Sequence, residues 1–400
     1  MLKRISKYDL RLGMYIHDLN VDWMKHPFIR PSFMLREESD LARIFASGIE
    51  QVWIDTVKGL DTAPEPGAEP EAGPEPGRVP PARARTPFLE ELPTAKRILR
   101  EARRIIYSVL MDVRMGRQVR VGQLQPVVMR ITGSILRSPG TLVSLCRLRE
   151  ADRATYQHSI SSCALLVMFG QHLGMDEESL LEVGMGGMLH DLGKMRVPDH
   201  ILNKPGKLTD SEYAIMRSHV RLGLETLAQT PGITTPVIQV AAEHHERCDG
   251  SGYPNRLTGG QISQLGRMAS IVDVYDATTS NRIYHQFLEP APALRRLFER
   301  APREFDLDLV QQFIQAIGIY PAGSLVRLKS DRLAVVVEQT PGRLLWPKVR
   351  VVYDLARDQG VPPFDLDLAP YEGGDEAILG YEDPVAWSLD PNAYLNLELG

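Results

Sequence analysis

Along the middle of the chain, imidazoles and carboxylates recur at intervals that each fit one helix plus one connection. His158 is followed by the pair His190-Asp191, then His219, the pair His244-His245 and Asp273, in steps of roughly 25 to 32 residues. That spacing predicts a helical bundle whose successive helices each send a ligand to one centre, as in dinuclear metal sites. A lone His-Asp neighbour pair is more often a helix-end hydrogen bond. Five histidines in this series, out of ten in the chain, argue against that bland reading for the group. Imidazole and carboxylate without thiolate suit Fe, Mn, Zn or Ni far better than Mg or Ca. Asp191, with two oxygens, is the natural bridge between two ions.

Local signals place each of these residues. His158 falls in a long helix running to about Leu173. Asp176 caps the next helix, where Leu180, Leu181, Val183 and Met188 lead to His190 at its C-terminal end. Gly184, Gly186 and Gly187 each cost about 1 kcal/mol there relative to Ala, which suggests close helix contact. Thr209 and Glu212 form a capping box, so a helix starts at Asp210 and carries His219 about two and a half turns in. Thr235-Pro236 opens another, in which Val237, Val240, Ala241 and His244 recur at i, i+3, i+4 and i+7. Asp249-Gly250 ends that segment. The last ligand helix buries Ile262, Leu265, Ala269 and Val272, with Asp273 beside the stripe and Asp276 one turn on.

Several stretches together carry a family resemblance. They are His190-Asp191-Leu192-Gly193-Lys194 running on to Pro198, the segment Ile201 to Thr209, the run His244-His245-Glu246-Arg247-Cys248-Asp249-Gly250-Ser251-Gly252-Tyr253-Pro254, and Ile271 to Ala277 with Arg282 and Tyr284. Over roughly residues 150 to 290 the chain resembles an HD-GYP domain. The resemblance implies a cytoplasmic bacterial phosphodiesterase that hydrolyses cyclic di-GMP to linear pGpG or on to GMP. It further implies two divalent ions, Fe or Mn first and Ni or Zn as alternatives. By resemblance one ion takes His158, His190, Asp191 and Asp273, and the other takes Asp191, His219, His244 and His245. A hydroxide held between them would be the nucleophile, with Lys194 helping to neutralise the phosphate. Gly252-Tyr253-Pro254 would shape the pocket, and Arg282 would contact phosphate or guanine. Asp276 would orient a ligand His or contact the substrate base.

Two departures from the family pattern stand out. Where some members hold a third metal with Glu, this chain has Ala154, so two ions are expected. The usual Arg-Pro-Tyr-basic ending is Arg282-Ile283-Tyr284-His285, and His285 in place of a stronger base alters the expected grip on the substrate. A hybrid cyclic GMP–AMP substrate and a non-catalytic cyclic di-GMP receptor are therefore kept as alternatives. A phosphohydrolase of another nucleotide is disfavoured by the complete Gly-Tyr-Pro loop.

The remainder of the chain frames this domain. The expected fold is mainly α: an all-helical HD-type bundle core with a small α+β N-terminal domain and a small β-rich C-terminal domain. Residues 1–61 form the first unit, with strands at Met14–His17 and Val52–Asp55 and a helix over Glu37–Ala46. It resembles the small domain that often precedes HD-GYP domains, and its His17 and His26 lack a neighbouring carboxylate cluster. Residues 62–90 are a linker with eight prolines over 62–87, too poor in apolar groups to fold. Connecting helices occupy 91–140, starting near Thr94, where an apolar face suits the N-terminal unit or a second subunit. The HD-GYP domain spans 141–320, and three β-type runs follow within 321–400. With 51 acidic against 46 basic residues, the chain does not suit polymeric nucleic acid. Three scattered cysteines and the lack of a membrane-length apolar run suit a cytoplasmic protein. Cyclic di-GMP, a diguanylate cyclase or other signalling protein, and a second copy in a homodimer are the partners expected.

Overall fold

A computed structural model describes residues 2–19, 33–36, 40–41, 44–45, 49, 51–60, 85–147, 154–279, 288–340, 343–371 and 375–395. Near the N-terminus, β1 (Leu2–Ser6), β2 (Tyr15–Asp18), β3 (Phe33–Met34) and β4 (Gln51–Asp55) make an antiparallel sheet of order β1-β4-β2-β3. Val52 and Ile54 alternate inward along β4 and join Ile5, Met14 and Ile16 in a small core of their own. β1 is hard to read from Leu2-Lys3-Arg4-Ile5-Ser6, because only Ile5 of its apolar residues is buried. Residues 40–41 and 44–45 are helical, inside the expected Glu37–Ala46 helix. His26 and most of the proline-rich stretch lie outside the described residues.

The helical core begins with α1 (Phe88–Arg114), α2 (Val121–Arg137) and α3 (Pro139–Arg147). α1 starts before Thr94 and within the stretch expected to be linker, and it runs through Pro93. Its first turn is held from outside. Glu91, 3% exposed, accepts hydrogen bonds from Ser134 at 2.8 Å and from Arg137 at 2.7 and 2.9 Å, which ties the turn to α2. Local propensity does not register such a long-range anchor.

α4 (Ala154–His172) and α5 (Glu177–Leu189) pack side by side at the centre. The α5 glycines are what permits this. A Cβ at Gly187 would press on the Ser162 carbonyl and the Cys163 amide of α4, and one at Gly186 would press on Val240. Then come α6 (Asp199–Leu202), α7 (Asp210–Arg217), α8 (His219–Ala228), α9 (Thr235–Glu243) and α10 (Gln264–Thr279). The expected helix from Asp210 through His219 is thus two helices. Ser218 interrupts it, its hydroxyl donating back to the Ile215 carbonyl at 2.6 Å. Ile262, expected on the last ligand helix, precedes it, after a short 3-10 turn.

α11 (Pro290–Glu304) and α12 (Leu307–Ile317) close the bundle, and Phe313 of α12 meets Phe169 of α4 edge-on at 5.3 Å. A five-stranded antiparallel sheet follows, of order β8-β7-β6-β5-β9. Its strands are β5 (Leu325–Leu328), β6 (Arg332–Glu338), β7 (Lys348–Asp354), β8 (Gln359–Asp367) and β9 (Ile378–Tyr381). The three expected β runs are β5 to β7. β8 carries Pro362-Pro363 and lies at the edge, and the two prolines fall where its register against β7 shifts between Val351 and Tyr353. The sheet's inner residues belong to the same hydrophobic core as the helices.

The Glu91 pair gives a test with a definite sign. Burial opposes its ionisation, but Arg137 and Ser134 lower its pKa below the ordinary Glu range. The Arg137 end of the pair is exposed to water, so Glu91→Gln should cost about 1–2 kcal/mol at pH 7. That difference is complete above the unfolded pKa of about 4.3 and fades as pH falls through the lower folded value. Urea unfolding of both proteins at pH 7 and pH 3 checks it. A gap of equal size at both pH values would contradict the assignment.

Candidate metal centre

Three histidines of the series stand where a helix ends. His190 caps α5, His244 caps α9, and His219 follows the break at Ser218. The last carbonyls of a helix lack intrahelical partners, and each ring uses one of them. Nδ1 of His190 lies 2.8 Å from the Gly187 carbonyl, that of His219 2.8 Å from Met216, and that of His244 2.9 Å from Ala241. A carbonyl only accepts, so each Nδ1 carries the proton and each Nε2 presents a lone pair. This is the physical reason His219 sits at a helix break.

Those lone pairs converge on Asp191, which is 1% exposed. Its Oδ1 faces Nε2 of His219 at 3.3 Å and of His244 at 3.7 Å. Its Oδ2 faces Nε2 of His158 and of His190, both at 3.5 Å, and accepts from Lys194 Nζ at 2.5 Å. Oδ1 has no hydrogen-bond partner among the described residues. Nitrogen lone pairs directed at an unpaired, buried carboxylate oxygen repel unless a cation stands between them. The donor set therefore fits metal ions. Asp191, His219, His244 and His245 form one group that could hold an ion, and His158, His190 and Asp273 form another. The two oxygens of Asp191 face one group each.

The remaining partners set charge and orientation. His158 Nδ1 lies 2.5 Å from Asp276 Oδ2, and the other Asp276 oxygen accepts from Ser161. Asp276 is 4% exposed with both oxygens engaged. It lies against Nδ1 of His158, on the other side of the ring from the nitrogen that faces Asp191. Asp273 Oδ1 lies 3.1 Å from His158 Nε2, and its Oδ2 lies 3.3 Å from His245 Nδ1.

Burial first, and like-charged neighbours second, push His244 well below the usual imidazole range, and burial brings His245 down to about 4. His190 is lowered by burial as well. Burial opposes ionisation of Asp191 and Asp273, yet Lys194 beside the first and His245 and His158 beside the second hold both well below the ordinary carboxylate range. For His158, burial is outweighed by Asp273 and Asp276, which raise its pKa. Neutral imidazoles and ionised carboxylates are the forms that bind metal.

Close backbone approach builds the walls. A Cβ at Gly193 would fall onto the His219 carbonyl and the Gly223 backbone, so the turn holding Lys194 lies directly on α8. Gly252 is pressed against the backbone of residues 245–247 in the same way. The loop after it wraps Glu246, fully buried, whose carboxylate accepts from the amides of Asn255 at 2.7 Å and Leu257 at 3.0 Å. Tyr253 donates its amide to the His245 carbonyl at 3.2 Å, and its ring lies 4.6 Å from that of His245. Arg217 of α7 stacks on the outer side, its guanidinium 4.7 Å from the Tyr253 ring. Sequence reading names Glu246 only within the His244 to Pro254 run and gives no role to Arg217, Gly223 or Ser161, each of which passes there for an ordinary surface or helix residue. Arg282, Ile283, Tyr284 and His285 lie outside the described residues.

Residues 147–309 match the family described as HD domain, and residues 2–124 match a domain of unknown function, DUF3391. The cyclic di-GMP phosphodiesterase PA4108 of Pseudomonas aeruginosa is 41% identical over 392 residues, covering 97% of this chain and 94% of that protein. The cyclic di-GMP phosphodiesterase response regulator RpfG of Xanthomonas campestris is 38% identical over 42% of this chain and 46% of its own length. A 3'3'-cGAMP-specific phosphodiesterase of Vibrio cholerae is 39% identical over 36% of this chain and 27% of its own length. With a relative this similar over nearly its whole length, the chain belongs to the HD-GYP family, an HD domain preceded by a DUF3391 domain.

Proposed function

We propose that this protein is a metal-dependent phosphodiesterase that hydrolyses cyclic di-GMP to linear pGpG. The observation that carries the reading is the convergence of imidazole lone pairs on the two oxygens of buried Asp191. We assign His158, His190, Asp191 and Asp273 to one divalent ion and Asp191, His219, His244 and His245 to a second, with Fe or Mn preferred over Ni or Zn. Bound there, such ions supply a nucleophilic water at neutral pH and neutralise phosphate charge.

The chain's own residues do the rest. The backbone carbonyls of Gly187, Met216 and Ala241 hold three imidazoles in the ligating tautomer. Asp276 does the same for His158. Lys194 donates one N–H to Asp191 and keeps two for a phosphate oxygen. Tyr253, held between His245 and Arg217, forms the wall against which one end of the dinucleotide rests. Three widely separated cysteines that form no disulfide suit a reducing compartment, and we place the enzyme in the cytoplasm. None of the described helices is long and apolar enough to cross a membrane.

Turnover of cyclic di-GMP by Mn- or Fe-loaded protein, with products separated by chromatography, tests the reading. Wild type should yield pGpG, and Asp191→Ala should be slower by about 10²–10³-fold or more. Binding without turnover in the wild type would make the protein a receptor instead. Faster cleavage of 3'3'-cGAMP in the same assay would move the substrate to the hybrid dinucleotide.

The orienting role of Asp276 has its own readout. Asp276→Asn keeps the shape but removes the charge behind His158, and metal affinity should drop about 10–100-fold. Competition with a chromogenic chelator measures this without reference to activity. Unchanged affinity would show that Asp276 does not set the His158 ring.

A further inference from the structure

Away from the metal centre, a cavity of about 310 Å³ opens where the helical core meets the C-terminal sheet. Its walls come from the start of α1, the α2–α3 turn, α4, α10, the end of α12 and the segment after β6. That volume falls at the lower end of the range for small-molecule sites, about 300–1,000 Å³.

The lining is cationic and flat. Arg85, Arg137, Arg147 and Arg343 line it against one carboxylate among the described residues, Glu338. Arg137 is engaged by Glu91, Arg147 reaches the Ala322 carbonyl at 2.8 Å and Glu289 at 3.3 Å, and Arg343 reaches the Ala369 carbonyl at 2.6 Å. Glu91 and Glu289 offset the charge of Arg137 and Arg147, so the net positive charge of the lining comes from Arg85 and Arg343 set against Glu338. Phe88, Tyr275 and Trp346 supply aromatic surface.

Unpaired polar atoms point to a missing ligand. Tyr275 is 3% exposed and its hydroxyl has no hydrogen-bond partner among the described residues. Nε of Arg147, another residue of this lining, also has no hydrogen-bond partner among the described residues. Buried polar atoms are rarely left unpaired, and here two of them belong to one cavity wall.

We propose that this cavity binds a mononucleotide, its phosphate taken by Arg147 and Arg343, its base edge by the Tyr275 hydroxyl and its ring face by Trp346. Arginine forks match phosphate oxygens two at a time, and flat side chains stack on a base. Occupancy reaches the metal centre by a short route. Tyr275 is the neighbour in sequence of Asp276, which holds His158, and Met168 and His172 of the wall share α4 with His158.

Calorimetric titration of the full-length, metal-loaded protein with GMP tests this. Wild type and Asp191→Ala should each take up one GMP at this site. Arg147→Gln should weaken it at least ten-fold, and Ala316→Trp, which fills the cavity from α12 without removing a hydrogen bond, should abolish it. Because Arg147 also anchors the Ala322 segment, Arg343→Gln serves as a second charge-removing variant and should likewise weaken binding. Absence of heat at millimolar GMP in the wild type overturns the proposal. So does binding that is lost in Asp191→Ala and kept in Ala316→Trp, which would place GMP at the metal centre. GMP uptake by a wild type that turns over no cyclic di-GMP would leave this site standing and remove only the phosphodiesterase reading.

Discussion

One buried carboxylate sets the terms for the helical core. Asp191 is 1% exposed, and its two oxygens face four imidazoles and one ammonium. An anion so placed is costly unless positive charge surrounds it. Lys194 offsets that charge, and the second buried carboxylate, Asp273, with the facing imidazole nitrogens, leaves a site that fits cations. The helices that meet there are arranged so that their ends, rather than their flanks, deliver several of the ligands.

That arrangement uses helix termini in two ways at once. A helix end has carbonyls to spare, and a histidine ring folded back onto the carbonyl three residues earlier satisfies one while aiming its other nitrogen inward. The same geometry brings backbones close together. Gly187 against α4, Gly193 against α8 and Gly252 against residues 245–247 are places where any side chain would force the elements apart. Intrinsic helix stability is given up at Gly187 so that α4 and α5 can hold His158 and His190 with Nε2 atoms 3.1 Å apart.

The C-terminal sheet is part of the same packed unit. Its apolar residues continue the core of the bundle, and the cavity at their junction borders both α4 and α10, the helices that carry His158 and Asp273. A ligand there would press on elements that also shape the metal centre, because densely packed interiors transmit small displacements.

Sequence by itself determined which donors could meet. His158, His190, Asp191, His219, His244, His245 and Asp273 gather into two groups that could hold an ion, and their types and their spacing by helix and connection follow from the sequence alone. So do the helix starts at Asp176 and Thr209, because capping is a contact between near neighbours in the chain. Only the tertiary structure decided matters that depend on distant partners. The first turn of α1 forms ahead of Pro93 because Glu91 meets Arg137 from another helix. Asp276 lies behind His158 because α10 crosses α4, and no spacing along one helix could distinguish that from a substrate contact. Glu246 is buried because the loop that follows folds over its carboxylate. The edge strand β8, with its two prolines, exists because β7 offers it a ladder. In each case the deciding energy comes from a contact outside the local run of sequence, which local pattern cannot encode.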